Sequence, residues 1–407
     1  MDKKSLPEMQ ISDKVEAIPE ALSVYINNLV YALKRDGANI TTLSLGEAFF
    51  DIPMQDFSAI DFKKGYHYSE SLGLPELRKR ICKYYEEKYG APVDDNKEIL
   101  ISAGSKPIIF MALQAVLNPG DEVLIHEPAW LSYPEQIKLA DGKPIFIPYD
   151  CEPENFIDYV TDKTKVLILN NPNNPAGKIY SKESLKKLYE QFRKKGIYIL
   201  VDEAYSDFVV EDNFVSMANI VPDKDGIIVV NSLSKNFGIS GWRVGYVISS
   251  ERVIYNILKL NQHLITCPAT LLLLYLEKYF DQIASITLPQ AIEVVEKRKT
   301  VDGYIREKGM KTLDGSSTFY LFVSMGEYRY SSLDLAMYLL FKYRIAVVPG
   351  SAYGKSTDHF IRIGVGAETV ETIQKSVDII KRVIDTQEFD GDFVNNEIKR
   401  LGFKEFK

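Results

Sequence analysis

The feature that most limits how this 407-residue chain can fold is an alternation running from about residue 98 to residue 249. The apolar runs EILIS (98–102), DEVLIHEP (121–128), KPIFIPYD (143–150), KVLILNNP (165–172), IYILVDEAY (197–205), GIIVVN (226–231) and RVGYVIS (243–249) are strand candidates. Helical patterns at 106–117, 130–140 and 181–195 lie between them. Runs that are apolar at nearly every position suit strands buried on both faces, and a helix of about a dozen residues is what a parallel crossover needs. The expected fold class is α/β, with a large lobe built on a mostly parallel sheet covered by helices.

The length exceeds what one hydrophobic core supports, so a second lobe is expected. From about 250 to 308 the pattern is helical, and then the alternation resumes with FYLFVSM (319–325), a helix over 331–342 and FIRIGVG (360–366). In the helix that follows, over 369–385, Val370, Ile373, Val377, Ile380 and Ile384 make one apolar stripe. Towards the N-terminus, residues 14–35 read as one helix stopped at Asp36 and Gly37. TTLSLG (41–46) reads as a strand, and a helix from residue 74 ends at Gly90. The division expected is a large domain over 47–310 and a small α/β domain made of 1–46 with 311–407. The tail beyond Phe389 reads as a terminal helix or arm.

Composition narrows the function by exclusion. A net charge of −7 argues against a general nucleic-acid surface. The three cysteines, Cys82, Cys151 and Cys267, are odd in number and far apart, which suits a reducing compartment. The N-terminus MDKKSLPEMQISDK has no apolar signal core, and no run approaches ~18 apolar residues. A cytoplasmic protein with no membrane partner is expected. His67, His126, His263 and His359 are dispersed without metal-ligand spacing, so no metal is expected.

One stretch carries a chemical signal. NSLSKNFGISGWRVG (231–245) puts Lys235 between hydroxyls, with Arg243 eight residues on, in a glycine-punctuated connection between two buried strands. A lysine becomes a nucleophile where desolvation and neighbouring cations lower its pKa. Lys235 is therefore the candidate to carry a covalent cofactor. GSKP (104–107) is a second signal: proline in a first helical turn costs no hydrogen bond, and a helix N-terminus attracts anions. Arg362, inside an otherwise apolar strand, invites an anion as its partner.

The order of motifs resembles the fold type I pyridoxal phosphate enzymes, specifically the class I and II aminotransferases, over nearly the whole chain. The motifs are LGEAFFDIP, YSESLGLPELR, SAGSKPIIFMAL, EPAWLSYPEQ, NNPNNPAG, VDEAY, SLSKNFGISGWR, FYLF, VVPGSAYG and RIGVG. The resemblance implies pyridoxal 5'-phosphate as cofactor and a transaminase acting through a Lys235 aldimine, with a small-molecule amino acid and a 2-oxo acid as substrates. By the same resemblance Asp202 would pair with the pyridine nitrogen, and Tyr205 and Asn174 would bond the phenolic oxygen. Gly104, Ser105, Lys106, Ser232 and Arg243 would hold the phosphate, and Trp130 would stack on the ring. Tyr68 would reach the phosphate of a neighbouring subunit, which implies a homodimer. Arg362, Asn174 and the backbone at Gly46 would hold the substrate carboxylate, and a cis bond is expected at Asn174–Pro175.

Two departures bear on substrate choice. Glu20, Ala21 and Leu22 stand where related aspartate aminotransferases carry small hydroxyl residues, and Phe49 and Phe50 replace a usual Pro and Asp. Plain aspartate specificity is thereby in doubt, although Lys106 matches a lysine associated with side-chain carboxylates. A lyase on the same fold, of the carbon–sulfur β-lyase or aminocyclopropane-carboxylate-synthase kind, shares the same central residues and is the alternative. A regulator on this scaffold would carry a basic module ahead of the fold, and only about forty residues precede the first motif here.

Overall fold

The structure is a computed structural model that describes residues 9–210, 214–404 and 406. The first eight residues, part of the N-terminal stretch read above, lie outside the described residues. Twelve strands are found among those described: β1 Thr41–Thr42, β2 Ile99–Ser102, β3 Glu122–His126, β4 Lys143–Ile147, β5 Thr164–Asn170, β6 Tyr198–Asp202, β7 Ile227–Ser232, β8 Gly245–Ser249, β9 Tyr320–Ser324, β10 Ile345–Ala346, β11 Val348–Pro349 and β12 Phe360–Gly364. Seven form one sheet in the order β2-β8-β7-β6-β5-β3-β4, in which only β8 runs against the others. The mostly parallel sheet expected from the apolar runs is present, and its inner strands are buried at all but Lys165 and Tyr198 because helices cover both faces.

Two hydrophobic cores flank this sheet. A third gathers the N-terminal helix Leu22–Arg35, the three-stranded sheet β11-β12-β9 and the helices Ser332–Tyr343 and Val370–Thr386. Helix Thr270–Glu307 joins the bodies: Leu273 to Ala284 pack into one core of the large sheet, and Ala291 to Ile305 into the third core.

Three local expectations need correction. The single helix over 14–35 is two, Asp13–Glu16 and Leu22–Arg35. Pro19 lies between them, and the residue before a proline is pushed out of helical geometry. The strand over 41–46 pairs only at Thr41 and Thr42, with β10. Beyond them the chain peels off, which frees the carbonyls of Ser44 and Gly46 for side chains of the cleft. Lys235 sits not on an open loop but in a helical turn, Leu233–Asn236, capped by the Ser232 hydroxyl, which accepts from Ser234 N at 3.2 Å. The tail does form a helix, Gly391–Arg400, and its end packs Phe403 and Phe406 against Tyr25.

Candidate active site

Parallel strands present their C-terminal ends to one crevice, and it is there that α/β proteins place ligands. β2 leads into Gly104 and Ser105, β5 into Asn170 and Asn174, β6 ends on Asp202, and β7 delivers Lys235. From the small sheet, β12 brings Arg362. Apart from Gly104, which lies behind the wall as the cap of the helix that Ser105 begins, these residues line one cleft of about 500 Å³, together with Gly46, Lys106, Trp130, Tyr205, Ser232 and Arg243.

At its floor Asp202 accepts from the Tyr133 hydroxyl (2.8 Å) and from Ala204 N (3.1 Å). Burial raises the Asp202 carboxyl pKa, and these two bonds oppose the rise. The Lys235 ammonium donates to Gly46 O. Its pKa falls to about 8, mainly through burial; Arg362 and Arg243 lower it further, while Glu47 and Asp202 oppose. Asn174 N donates to Asn170 Oδ1 (2.6 Å), and the Asn174 amide donates to the Tyr205 hydroxyl at 3.4 Å. The Asn174–Pro175 bond is cis, as expected; Glu127–Pro128 and Asn171–Pro172 are cis as well.

The positive end of the cleft is built on backbone conformation. Gly104 has φ +94° and caps helix Ser105–Val116, and a methyl group in place of its hydrogen would lie 2.5 Å from Arg243 Nη2. Arg243, itself at φ +55°, donates to the Ser234 hydroxyl at 3.3 Å and to Ser240 O at 2.8 Å. Lys106 Nζ stands 5.0 Å from the centre of the Trp130 ring, and its pKa is lowered by burial and then by Arg243. The Arg243 guanidinium, from a separate segment, converges on a helix N-terminus that bears the Lys106 ammonium, and the three make an anion seat.

Opposite, Arg362 is 4% exposed and donates to Ser44 O (2.7 Å) and Asn174 Oδ1 (3.3 Å). Its guanidinium lies 4.2 Å from the centre of the Tyr320 ring and 5.5 Å from that of Tyr353. Arg362 Nε and the Tyr353 hydroxyl make no hydrogen bond of ordinary geometry among the described residues, although the two side chains interact with each other. Buried groups left in that state are a vacancy for a polar ligand. The donor set thus fits pyridoxal phosphate with an amino acid: an anion seat, a buried acid, a low-pKa amine and a second cation with unspent donors.

Some residues named from the sequence lie away from this cleft, as a Tyr68 that serves a neighbouring subunit must. Tyr68 is 85% exposed and Phe49 64% exposed, and neither lines this cleft. Phe50 stacks on Phe208 with ring centres 5.9 Å apart, so it packs rather than facing the cleft. Conversely, Tyr133, Ser234, Tyr320 and Tyr353 take part in the site without having been singled out. Tyr320 shares a 3.2 Å hydrogen bond with the Tyr205 hydroxyl. Its place in the FYLF motif was the one signal available.

A low-pKa lysine at the C-terminal edge of a parallel sheet, flanked by a buried acid and an anion-binding helix start, defines an α/β enzyme of the pyridoxal phosphate-dependent class. The chain belongs to the family Aminotransferase class I and II, whose model matches residues 35–380. It is 30% identical to an aspartate aminotransferase of Pyrococcus abyssi, over 92% of this chain and 98% of that one. It is 32% identical to a (5-formylfuran-3-yl)methyl phosphate transaminase of Methanocaldococcus jannaschii, over 88% of this chain and 94% of that one. Among solved structures, an aromatic aminotransferase from Pyrococcus horikoshii superposes with a TM-score of 0.80 at 29% identity, covering 88% and 99% of the two chains. The protein is accordingly a pyridoxal phosphate-dependent transaminase, and nothing in these relatives favours a lyase.

Proposed function

We propose that Lys235 is the amine that holds the cofactor and the base that moves the substrate proton in an amino transfer between an L-amino acid and a 2-oxo acid. The observation that carries this reading is the position of Lys235, between Asp202 on the large sheet and Arg362 on the small one, in a cleft that lowers its pKa to about 8. Near that value an amine can both accept and return a proton at working pH. Pyridoxal phosphate, when bound, supplies an electron sink for the bond broken at the substrate's α-carbon. Asp202, buried and oriented by Tyr133, keeps a proton on the pyridine nitrogen, while Tyr205 and Asn174 donate to the phenolic oxygen. Gly104, Ser105, Lys106, Ser232 and Arg243 would hold the phosphate, and Trp130 would stack on the ring. Arg362, Asn174 and the backbone at Gly46 fix the substrate carboxylate, which orients the α-hydrogen toward Lys235.

The working unit is a homodimer in which Tyr68 completes the neighbour's phosphate site. Its support is the exposure of three large side chains between residues 54 and 68, Met54 (81%), Tyr66 (77%) and Tyr68 (85%). A division into 47–310 and 1–46 with 311–407 is supported by the separate core around the small sheet. A cytoplasmic setting is supported by three free thiols; no helix among the described residues is long and apolar enough to cross a membrane.

Borohydride reduction of the cofactor-loaded protein, followed by peptide mass spectrometry, should leave the cofactor's mass on the peptide containing Lys235. Lys235→Ala should lose both that tag and turnover with every donor. Near-normal steady-state turnover by this variant, without added amine, would sink the assignment.

A further inference from the structure

The motif LGEAFFDIP supplies Gly46 to the cleft, and Glu47 follows it directly. The backbone here is held from two sides. Along β12, Arg362 Nη2 donates to Ser44 O at 2.7 Å and Gly364 N donates to Leu43 O at 2.7 Å. Gly366 packs so closely that a Cβ on it would collide with Glu47 O. From the other side the Lys235 ammonium donates to Gly46 O. Half-buried in this clamp, the Glu47 carboxylate accepts from the Ser240 hydroxyl, and Ser240 O accepts from Arg243 Nη1 at 2.8 Å. Glu47 is thereby fixed against the connection that carries both Lys235 and Arg243, and among the described residues it forms no ion pair.

The charges around the amine narrow what this carboxylate can do. Burial lowers the Lys235 pKa most; of the charges, Glu47 acts most strongly and in the opposite direction, ahead of Arg362, Arg243 and Asp202. The Tyr205 and Tyr320 hydroxyls complete that wall uncharged, since burial raises the pKa of both. In amino transfer three of the four charges meet a group of opposite sign: Arg362 the substrate carboxylate, Arg243 the phosphate, Asp202 the pyridine nitrogen. Glu47 is left facing the amine alone.

We propose that Glu47 is a positioning residue that acts through Lys235: held on the Ser240 hydroxyl, its carboxylate supplies the negative charge against which the amine takes up the substrate's α-proton. The proton passes from the α-carbon to Nζ, and the electron pair of the broken bond stays with the substrate. The ammonium so formed stands near two guanidiniums, and an anion that no ligand group neutralises lowers the cost of forming it. This rests on the transaminase reading, in which Lys235 is the base.

The test reads the amine itself. Cofactor-free protein is labelled with trace acetic anhydride across a range of pH, and the peptides containing Lys235 and Lys106 are followed by mass spectrometry. In the unmodified protein, labelling of Lys235 should be half-maximal at about pH 8. Glu47→Gln should move that midpoint down by about one pH unit and leave the Lys106 midpoint in place. A merely structural role has the opposite sign, because an opened site returns Lys235 toward the ~10.4 of an ordinary lysine. A midpoint that stays or rises therefore overturns the proposal. Should this variant not fold, Ser240→Ala decides: the carboxylate, freed to turn into water, should let the midpoint fall by about a third of a pH unit or more. No fall would count against Glu47 equally. In the cofactor-loaded Glu47→Gln protein, given the fastest donor among the common amino acids, the plateau rate of the half-reaction should drop about two- to fivefold, as expected for a weaker base. An undiminished plateau would remove Glu47 from the proton transfer. Absence of a half-reaction from any donor in the unmodified protein would instead bring down the transaminase reading, with the labelling result standing by itself.

Discussion

At the scale of single residues, Gly104 shapes the anion seat by what it lacks. Its φ of +94° is open to glycine, and a Cβ there would collide with Arg243. Gly104→Ala should therefore displace the guanidinium and weaken cofactor retention by about tenfold or more, read by equilibrium dialysis, with a smaller change in turnover at saturating cofactor. Unchanged retention would mean that Arg243 does not hold the phosphate. The glycine was legible in GSKP, as were Lys235, Asp202, Asn174 and Arg362, because each lies in a contiguous motif whose neighbours announce it. Tyr133, Tyr320 and Tyr353 lie in such motifs as well, but what a tyrosine hydroxyl meets is settled only when distant segments fold against it, so their part in the site was not legible.

Between residue and molecule stand the turns that carry the chemistry. Ser206, one residue past Tyr205, accepts from the Asn231 and Asn236 amides on the Lys235 side at 3.1 and 2.9 Å. The Asp207 carboxylate accepts from Tyr84 at 2.8 Å and pairs with Lys88 at 2.9 Å, both on helix Pro75–Tyr89. Glu203, next to Asp202, belongs to the same buried set, and burial raises its pKa from 4.5 to about 8. Between those two values the folded chain keeps a proton that the unfolded chain has lost, so this group's contribution to stability falls as pH rises through the window. Glu203→Gln should flatten the decline by roughly 2 to 5 kcal/mol in urea unfolding of the cofactor-free protein from pH 5 to pH 8. An unchanged pH slope would show that Glu203 is ionised throughout. Elements with a strong apolar period were readable in advance to within a residue or two. β1 and the break at Pro19 were not, because a strand's partner and a helix's interruption depend on where the chain goes next.

Across the whole molecule, the two sheets were visible as an interrupted alternation, while the cleft between them was not, since no local pattern records how two bodies face each other. A subunit-mixing experiment addresses the assembly. Tyr68→Ala and Lys235→Ala proteins, each impaired, should regain activity when mixed under conditions that exchange subunits, because a mixed pair contains one site with both residues intact. Failure to regain activity despite demonstrated exchange would remove Tyr68 from the neighbour's site. The turn that bears Lys235 has a further consequence. It joins two strands that are hydrogen-bonded to each other from Ile228↔Ser249 to Ser232↔Gly245, so it cannot swing outward without unzipping the middle of the large sheet. Residues 17–21, between the two N-terminal helices, and the tail at Phe406 carry no such tether, being in no strand. Lys235 is thereby anchored by the ladder of the large sheet itself, whereas the segment between the two N-terminal helices hangs on none.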